Sequence, residues 1–265
     1  MVRERPVICI FEAMKGKKIY FASDNHLGAP TLEASMIREK IFVNWLDHIK
    51  ADAEAVFLLG DLFDVWIEYK RVIPKGFVRV LGKLAELADS GIPIYFFVGN
   101  HDMWMRDYLQ KEIGAKVYFH PQSITLSGKK FFIGHGDGLG PGDKGYKRMK
   151  KLFRNPLAQW LFRWLHPDLG LPFARYLSLK NKLISGDEDL KYRGPEKEWL
   201  FQYAQRKLKQ EHFDYFVFGH RHLPLEVPVG DQSTYINTGD WISYYTYGVF
   251  DGQSLTLQHW QSNHD

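Results

Sequence analysis

Residues 92–102 read IPIYFFVGNHD and combine a buried strand with a polar loop. A strand covered on both faces of a sheet requires the continuous apolar run that residues 92–99 show. Asn100, His101 and Asp102 follow this run directly. In layered α/β folds the carboxyl ends of the strands gather at one edge, where ligands bind. This stretch therefore predicts a sheet whose strand ends carry a functional site.

The segments on either side alternate between strand and helix patterns. Apolar runs bounded by turn residues predict strands over residues 18–23, 55–60, 124–135 (as a hairpin) and 215–220. Apolar residues at helical spacing predict helices over residues 32–50, 75–90 and 195–210. The residues before 18 are interpreted as an extension or an edge strand, and short strands are expected from about residue 225 to 260. A βαβαβ order followed by antiparallel strands indicates a layered α/β domain.

The composition is that of a globular protein. The chain has 265 residues, of which 45% are hydrophobic and 25% are charged, so we expect a single domain over residues 1–265 with an inserted subdomain. Cys9 is the only cysteine, which excludes a disulfide within the chain and suits a reducing cytoplasm. No apolar run approaches the ~18 residues of a membrane span. Glu12 interrupts the apolar residues near the N-terminus, so we do not expect a secretory signal.

A basic segment interrupts the alternating pattern. Residues 147–182 carry a net charge of +8, whereas the rest of the chain carries −4. Residues 152–182 are helical in texture, are broken by Pro156, Pro167 and Pro172, and are rich in Trp and Phe. We interpret residues 147–193 as two or three short helices inserted between core strands as a cap. The uneven charge favours an anionic partner, such as a phosphate, a nucleic acid or an acidic membrane.

Polar loops recur where the predicted strands end. The five loops are Asp24-Asn25-His26, Gly60-Asp61-Leu62-Phe63-Asp64, Gly99-Asn100-His101-Asp102, Gly134-His135-Gly136-Asp137 and Gly219-His220-Arg221-His222. Their side chains offer the nitrogen and oxygen ligands that divalent metals take. Each loop alone is compatible with a simple turn. Five of them, each after an apolar strand, predict a metal site.

These loops resemble the signature of the calcineurin-like metallophosphoesterases, and the resemblance spans residues 24–222. It implies the α/β fold of that family, a layered β-sandwich flanked by helices, here with an inserted helical cap. It also implies two divalent metal ions that share one carboxylate. The first ion would be held by Asp24, His26, Asp61 and His222. The second would be held by Asp61, Asn100, His135 and His220.

The chemistry of phosphoester hydrolysis suits such a pair. Two divalent ions roughly 3.5–4 Å apart share a water and clamp the oxygens of an in-line displacement at phosphorus. Asn100, as a neutral ligand, limits the negative charge near a phosphate. We expect His101 beside the metals, where it would protonate the leaving oxygen or bind the transition-state charge, with Asp102 orienting its imidazole. Asp64 is expected to align a ligand histidine.

Local details resemble one branch of the family, the UDP-2,3-diacylglucosamine pyrophosphatases of lipid A synthesis. The similar stretches are SDNHLG over residues 23–28, GDLFDVW over 60–66 and HGDGLGPGDKGY over 135–146. The resemblance implies that water attacks the uridine-side phosphorus, giving UMP and 2,3-diacylglucosamine 1-phosphate. It implies manganese as the usual metal, although the same ligands accept iron, zinc or cobalt.

The same resemblance implies substrate contacts and a location. Asp143 and Tyr146 match positions that contact the substrate in this branch. The head-group contacts would fall on Arg175, Ser178, Lys180, Asn181 and Lys182. An aromatic and basic helical cap suits a lipid-linked sugar nucleotide and would touch the membrane that carries it. We therefore expect a cytoplasmic enzyme peripherally associated with the inner membrane.

Two differences from this branch leave more than one substrate class compatible with the sequence. Many members have Arg where this chain has His101, and Thr238-Gly239-Asp240-Trp241 differs from the better-known members. One alternative is a general phosphatase, nucleotide phosphodiesterase or nuclease, whose aromatic residues would stack bases. The Leu, Trp and Phe residues of the basic segment favour acyl chains over nucleic acid. Another alternative is a non-catalytic membrane-docking protein on the same fold. The sequence does not indicate an oligomeric state.

Overall fold

The computed structural model describes residues 10–11, 16–140, 144–185 and 191–261. Of residues 10–11, 144, 146 and 179–185 it describes the backbone alone. In chain order, the strands are β1 (Ile10–Phe11), β2 (Lys18–Ala22), β3 (Ala53–Leu58), β4 (Ile94–Phe97), β5 (Lys116–Tyr118), β6 (Gln122–Leu126), β7 (Lys129–Ile133), β8 (Tyr215–Phe218), β9 (Pro224–Val229), β10 (Ser233–Thr238), β11 (Thr246–Phe250) and β12 (Leu255–His259). The helices are α1 (Leu32–Ile49), α2 (Val78–Asp89), α3 (Lys144–Phe153), α4 (Pro156–Phe162), α5 (Pro167–Ser185) and α6 (Trp199–Leu208), and a π-helical turn spans Leu109–Ile113.

The strands form two six-stranded sheets. The first has the order β12-β11-β2-β3-β4-β5, in which β2 to β5 are parallel and β11 is antiparallel to β2. The second has the order β1-β6-β7-β8-β10-β9, in which β7, β8 and β10 are parallel. The parallel strands of each sheet end on the same side, so both sheets bring their polar loops to one edge.

A buried layer joins the two sheets face to face. The ring of Phe21 in β2 lies 5.0 Å from that of Phe57 in β3 and 6.1 Å from that of Phe131 in β7, so aromatic residues of both sheets interdigitate. The outer face of the first sheet packs against α1 and α2, and the outer face of the second packs against α6. The predicted layered α/β class, with two sheets flanked by helices, is confirmed.

Strand β3 shows why the apolar runs fold in this way. Its side chains alternate between faces, so that Ala55 and Phe57 enter the layer between the sheets while Val56 and Leu58 pack beneath the helices. Both faces are therefore apolar, as the sequence requires of a strand covered on both sides. The strand leads straight into Gly60 and Asp61, which places the second polar loop at the sheet edge.

The basic segment forms helices between β7 and α6. Asn155 caps α4 by accepting hydrogen bonds from the N–H groups of Leu157 and Ala158. Of the three prolines expected to break the segment, Pro156 and Pro167 each begin a helix, whereas Pro172 lies inside α5 without ending it. Proline at that point removes a single backbone donor, and the helix continues beyond it. Among the described residues, no helix is both long enough and apolar enough to cross a membrane.

Candidate metal centre

The structure brings the seven predicted metal ligands together at the sheet edge. Asp24 and His26 follow β2, Asp61 follows β3, Asn100 follows β4, His135 follows β7, and His220 and His222 follow β8. Five of these residues have a left-handed backbone conformation, namely Asp24, His26, Asp61, His220 and His222. Such conformations are unfavourable for residues other than glycine and concentrate at functional sites.

Two groups of donor atoms are compact enough to hold a metal ion each. Asp24, His26 and His222 form one group, and Asp61, His135 and His220 form the other, with the donor atoms of each group within 4.8 Å of one another. Asp61 also belongs to a third group, with His26 and His101, which places its carboxylate between the first two. Oδ1 of Asn100 lies 3.0 Å from Nε2 of His135, beside the second group.

The charges within the site favour ionised carboxylates. Burial alone would raise the pKa of Asp61, but His135 and His101 outweigh it and hold that pKa well below its usual range. Burial is likewise outweighed at Asp24, where His222 and His26 lower the pKa to about 2. Burial and the neighbouring His135 lower the pKa of His220 to about 4. The carboxylates and the imidazole of His220 are thus in the forms that bind metal ions, whereas the neighbouring carboxylates, Asp61 first among them, overcome burial and raise the pKa of His135 to about 10.

One buried oxygen indicates that a cation fits here. Within the described residues, Oδ1 of Asp24 accepts no hydrogen bond, although the side chain is fully buried. It lies 3.4 Å from Nε2 of His222, and Nε2 of His26 lies 3.1 Å from that same nitrogen. A buried carboxylate oxygen without a donor is costly unless a cation compensates it. The converging oxygen and nitrogen atoms therefore fit a divalent metal ion.

Three of the candidate ligand histidines turn the same ring nitrogen, Nδ1, away from the other candidate ligands. The Nδ1 atoms lie 3.2 Å from Oδ1 of Asp64 for His26, 2.7 Å from the carbonyl oxygen of Leu59 for His135, and 3.3 Å from Oδ2 of Asp240 for His222. An oxygen facing Nδ1 favours the tautomer whose Nε2 carries the lone pair. Nε2 of each ring is accordingly the atom that faces the other candidate ligands.

His101 lies beside these groups and contacts the basic segment. Its backbone N–H donates to Oδ1 of Asp61 at 2.8 Å. Its Nδ1 lies 2.9 Å from the carbonyl oxygen of Asp64 and 3.2 Å from Oγ of Ser178 in α5. Ser178 also donates to Oδ2 of Asp64 at 2.9 Å. Helix α5 therefore reaches the edge of the candidate metal centre.

Asp102 takes a different position from the one expected. Its Oδ1 accepts a hydrogen bond from the N–H of Gly99 at 2.6 Å, and its Oδ2 accepts one from Leu62 at 3.1 Å. Burial, together with the charge of Asp61, raises the pKa of Asp102 to about 8. The carboxyl group thus joins the second and third polar loops, while the ring of His101 packs against Asp64 and Ser178.

The structure describes the side chains of only some of the predicted substrate contacts. Ser178 touches the site, and the guanidinium of Arg175 donates to the carbonyl oxygen of Pro30 at 3.3 Å. Tyr146 lies on α3, and Lys180, Asn181 and Lys182 lie on α5, where the side chains are outside the described residues. Asp143 lies outside the described residues altogether.

Helices α4 and α5, together with the turn between them, expose a run of large apolar side chains. We define their apolar surface by Leu157, Trp160, Leu161, Trp164, Leu169 and Phe173, all of which are exposed. Trp164 is 75% exposed, and its ring lies 5.7 Å from that of Trp160. Large exposed apolar patches mark sites that bind proteins, ligands or membranes.

Two residues that support the site were not predicted from the sequence to have a role in it. Asp240 follows β10 in a strand-Gly-Asp pattern like that of Asp61, so the signal was present. Arg38 is buried in α1 and donates to the carbonyl oxygen of His26 at 2.8 Å. No local pattern distinguishes this arginine from those on helix surfaces.

A family model and a similar sequence indicate the family of this chain. Residues 17–224, which include all five polar loops, match the family model described as "Calcineurin-like phosphoesterase". A UDP-2,3-diacylglucosamine hydrolase from Porphyromonas gingivalis (strain ATCC BAA-308 / W83) is 41% identical over 254 residues, covering 91% of this chain and 97% of the relative. One from Edwardsiella ictaluri (strain 93-146) is 31% identical over 206 residues, covering 77% and 75%. A solved dimetal phosphatase from Danio rerio gives a TM-score of 0.48 at 11% identity, covering 93% of this chain and 96% of its own.

Proposed function

The chain belongs to the calcineurin-like phosphoesterase family, and from this premise we propose that it is a metal-dependent hydrolase of UDP-2,3-diacylglucosamine. The products are UMP and 2,3-diacylglucosamine 1-phosphate. The membership that the five polar loops predict is confirmed by the family match. The observation that carries the proposed substrate is the 41% identity to the Porphyromonas gingivalis hydrolase over nearly the whole of both chains.

Two divalent ions are proposed to bind at the candidate metal centre. The first is held by Asp24, His26, Asp61 and His222, and the second by Asp61, Asn100, His135 and His220. When bound, the ions supply the Lewis acidity that activates water and balances the charge of the pyrophosphate. Manganese is the metal we propose, and iron, zinc and cobalt suit the same nitrogen and oxygen ligands.

The other polar residues at the site have distinct proposed roles. His101 donates a proton to the leaving oxygen from Nε2, because its Nδ1 faces the carbonyl oxygen of Asp64 at 2.9 Å. The carboxylate of Asp64 aligns the ring of His26, which it approaches to 3.2 Å. Asp102 holds the second and third polar loops together, because its two carboxylate oxygens accept hydrogen bonds from backbone N–H groups of these loops.

Residues 147–193 are proposed to act as a cap that binds the lipid half of the substrate. Asp143, Tyr146, Arg175, Ser178, Lys180, Asn181 and Lys182 are proposed to contact its polar head group. The contacts of Ser178 with Asp64 and His101 support this placement. The apolar surface of α4 and α5 would receive acyl chains and rest on the membrane, which suits peripheral association with the cytoplasmic side of the inner membrane.

A product assay tests the proposed function. The protein is mixed with manganese, a little detergent and UDP-2,3-diacylglucosamine. In parallel it is given an aryl phosphate, a bis-aryl phosphodiester and a single-stranded oligonucleotide. We expect rapid release of UMP with the lipid 1-phosphate and little turnover of the other three. Turnover of only the simple esters or the oligonucleotide would leave the family in place and exclude the proposed substrate.

A further inference from the structure

We infer that Asp240 is a positioning residue that fixes the ring of His222 with its Nε2 atom facing Asp24. Nδ1 of His222 lies 3.3 Å from Oδ2 of Asp240, and Nε2 lies 3.4 Å from Oδ1 of Asp24. A carboxylate only accepts hydrogen bonds, so Nδ1 carries the ring proton and Nε2 keeps its lone pair. The inference rests on the metal-binding part of the proposed function, because that lone pair is what a metal ligand must offer.

The backbone holds the carboxylate of Asp240 in one orientation. Its Oδ1 accepts hydrogen bonds from three successive N–H groups, at 3.1 Å from Ile242, 2.8 Å from Ser243 and 2.9 Å from Tyr244. The residue is 2% exposed, so water does not compete for these contacts. Rotation of the carboxylate would break three hydrogen bonds at once. Oδ2 is thereby left in a fixed position facing Nδ1 of His222.

The same segment of chain also supports Asp24 on the other side of the site. Oγ1 of Thr238 lies 2.7 Å from Oγ of Ser23, and that hydroxyl donates to Oδ2 of Asp24. The backbone N–H of Trp241 donates to the carbonyl oxygen of Asp24 at 3.2 Å. Thr238 and Trp241 therefore locate one candidate ligand, and Asp240 between them locates another. The end of β10 and the loop that follows it thus set the spacing of Asp24 and His222.

A purely structural role for Asp240, in which it only closes its own turn, predicts a different result for one substitution. In Asp240→Asn the amide oxygen can still accept the three N–H groups. The amide nitrogen replaces Oδ2 and donates to Nδ1 of His222. That donor forces the ring proton onto Nε2, where it opposes a metal ion. The substitution keeps the turn and reverses the tautomer.

The experiment measures metal affinity and the position of the ring proton, neither of which needs a substrate. Mn²⁺ is titrated into the metal-free protein by calorimetry. The ring proton is located by nitrogen-15 NMR of the metal-free, histidine-labelled protein, with His222→Gln used to assign the signal. We expect the ring proton on Nδ1 in the wild type and on Nε2 in Asp240→Asn. We also expect the affinity for one of the two ions to fall roughly 10- to 100-fold.

Asp251→Asn is the matched control. Oδ1 of Asp251 accepts the N–H groups of Gln253 at 2.9 Å and Ser254 at 2.8 Å, so this aspartate closes an exposed turn without facing a histidine. We expect this variant to bind Mn²⁺ as the wild type does, with its His222 signal unchanged.

The outcomes separate this inference from the proposed function. Wild-type affinity and tautomer in Asp240→Asn overturn the inference and leave the hydrolase in place. A ring proton on Nε2 of His222 in the wild type overturns it even where the variant does not fold. Wild-type protein that binds no Mn²⁺ overturns both the inference and the proposed metal centre. Protein that binds two ions but releases no UMP overturns the substrate alone.

Discussion

Ser178 on α5 donates a hydrogen bond of 2.9 Å to Oδ2 of Asp64, whose Oδ1 lies 3.2 Å from Nδ1 of His26. The helix of the basic segment is thus joined to a carboxylate that supports a candidate metal ligand. The hydroxyl of Ser178 also lies 3.2 Å from Nδ1 of His101. Movement of α5 away from the sandwich would break both contacts, so the position of this helix and the geometry of the site depend on each other.

Ser178→Ala is expected to lower turnover of the lipid substrate by roughly 10- to 150-fold, because a hydrogen bond to a charged group contributes about 1.5–3 kcal/mol. The metal content should stay at the wild-type level, since Asp64 keeps its contact with His26. Steady-state kinetics and elemental analysis measure the two effects. Ser90→Ala is the control, because that hydroxyl donates to the carbonyl oxygen of Glu86 at an exposed helix end. Loss of metal from Ser178→Ala would contradict this prediction.

Asp61→Ala is expected to abolish turnover and reduce metal content. Oδ2 of Asp61 lies 3.3 Å from Nε2 of His135 and 3.8 Å from Nε2 of His26, so its carboxylate serves both groups of donors. Its loss should slow hydrolysis by about a thousandfold or more, since metal ions contribute several kcal/mol of transition-state stabilisation. Elemental analysis and turnover of a bis-aryl phosphodiester test this. Asp47→Ala, on the exposed face of α1, is the control and should change neither metal content nor turnover. Near-full activity in Asp61→Ala would exclude a shared carboxylate.

His101→Ala should separate proton transfer from metal binding. General acid catalysis contributes about 10²–10⁴-fold, so we expect turnover to fall within that range. The bound metal should remain, because the proposed ligand sets do not include this ring. The fall should be largest for a substrate with a poor leaving group and small for an aryl ester whose leaving group needs no proton. Equal loss on both substrates would argue against protonation, and loss of metal would assign His101 to the ligand set.

The sequence predicts the strand ends of this fold well because the same residues determine both the strand and the loop. The runs before Asp61 and Asn100 are apolar on both faces, and each run ends at a glycine. Gly99 illustrates the constraint, since an added Cβ would lie 2.7 Å from the backbone nitrogen of Asp61 and overlap its carboxylate. Local pattern and close packing thus point to the same residues.

Features that depend on distant parts of the chain are not predictable from local pattern. The helix expected from residue 195 begins at Trp199, and the side chain of the preceding Glu198 pairs with Arg221 at 3.0 Å. The helix expected from residue 75 begins at Val78, after Phe77 in a left-handed conformation. The contact of Ser178 with Asp64 joins residues 114 positions apart, and no spacing rule indicates it.

Trp160→Ser combined with Trp164→Ser tests the proposed membrane contact. Both rings lie on the apolar surface of α4 and α5, and burial of aromatic side chains drives interfacial binding. We expect binding to anionic phospholipid vesicles to weaken at least about tenfold, since each buried side chain contributes roughly 1.5–3 kcal/mol. Turnover of the soluble bis-aryl phosphodiester should be unchanged. Val78→Ser is the control; it replaces an exposed apolar residue on α2 and should bind vesicles as the wild type does. Equal binding by the wild type and both variants would exclude the apolar surface of α4 and α5 as the membrane contact.

Gly239→Ala tests whether the loop after β10 is as constrained as its contacts indicate. Gly239 has φ of 75°, and an added Cβ would overlap Oγ1 of Thr246 and lie 3.3 Å from Pro224. The side chain of Thr246 cannot easily move away from the added Cβ, because its hydroxyl donates to the carbonyl oxygen of Thr238 at 2.8 Å. Left-handed strain of about 1–3 kcal/mol and overpacking of a similar size should add. Asp240 would shift with the loop, so Mn²⁺ affinity should fall together with stability.

Thermal unfolding of the metal-free protein measures this effect. We expect the melting temperature of Gly239→Ala to fall by roughly 5–15 °C, since 1 kcal/mol corresponds to about 2–4 °C for a domain of this size. Gly82→Ala is the matched control, because the residue is inside α2 and, apart from neighbouring backbone of that helix, no atom of the described residues lies within 4 Å of the added Cβ. Alanine in a helix interior is favoured over glycine by about 1 kcal/mol, so this variant should melt at or slightly above the wild-type temperature. Wild-type melting of Gly239→Ala would mean that the loop accommodates a side chain and does not fix Asp240.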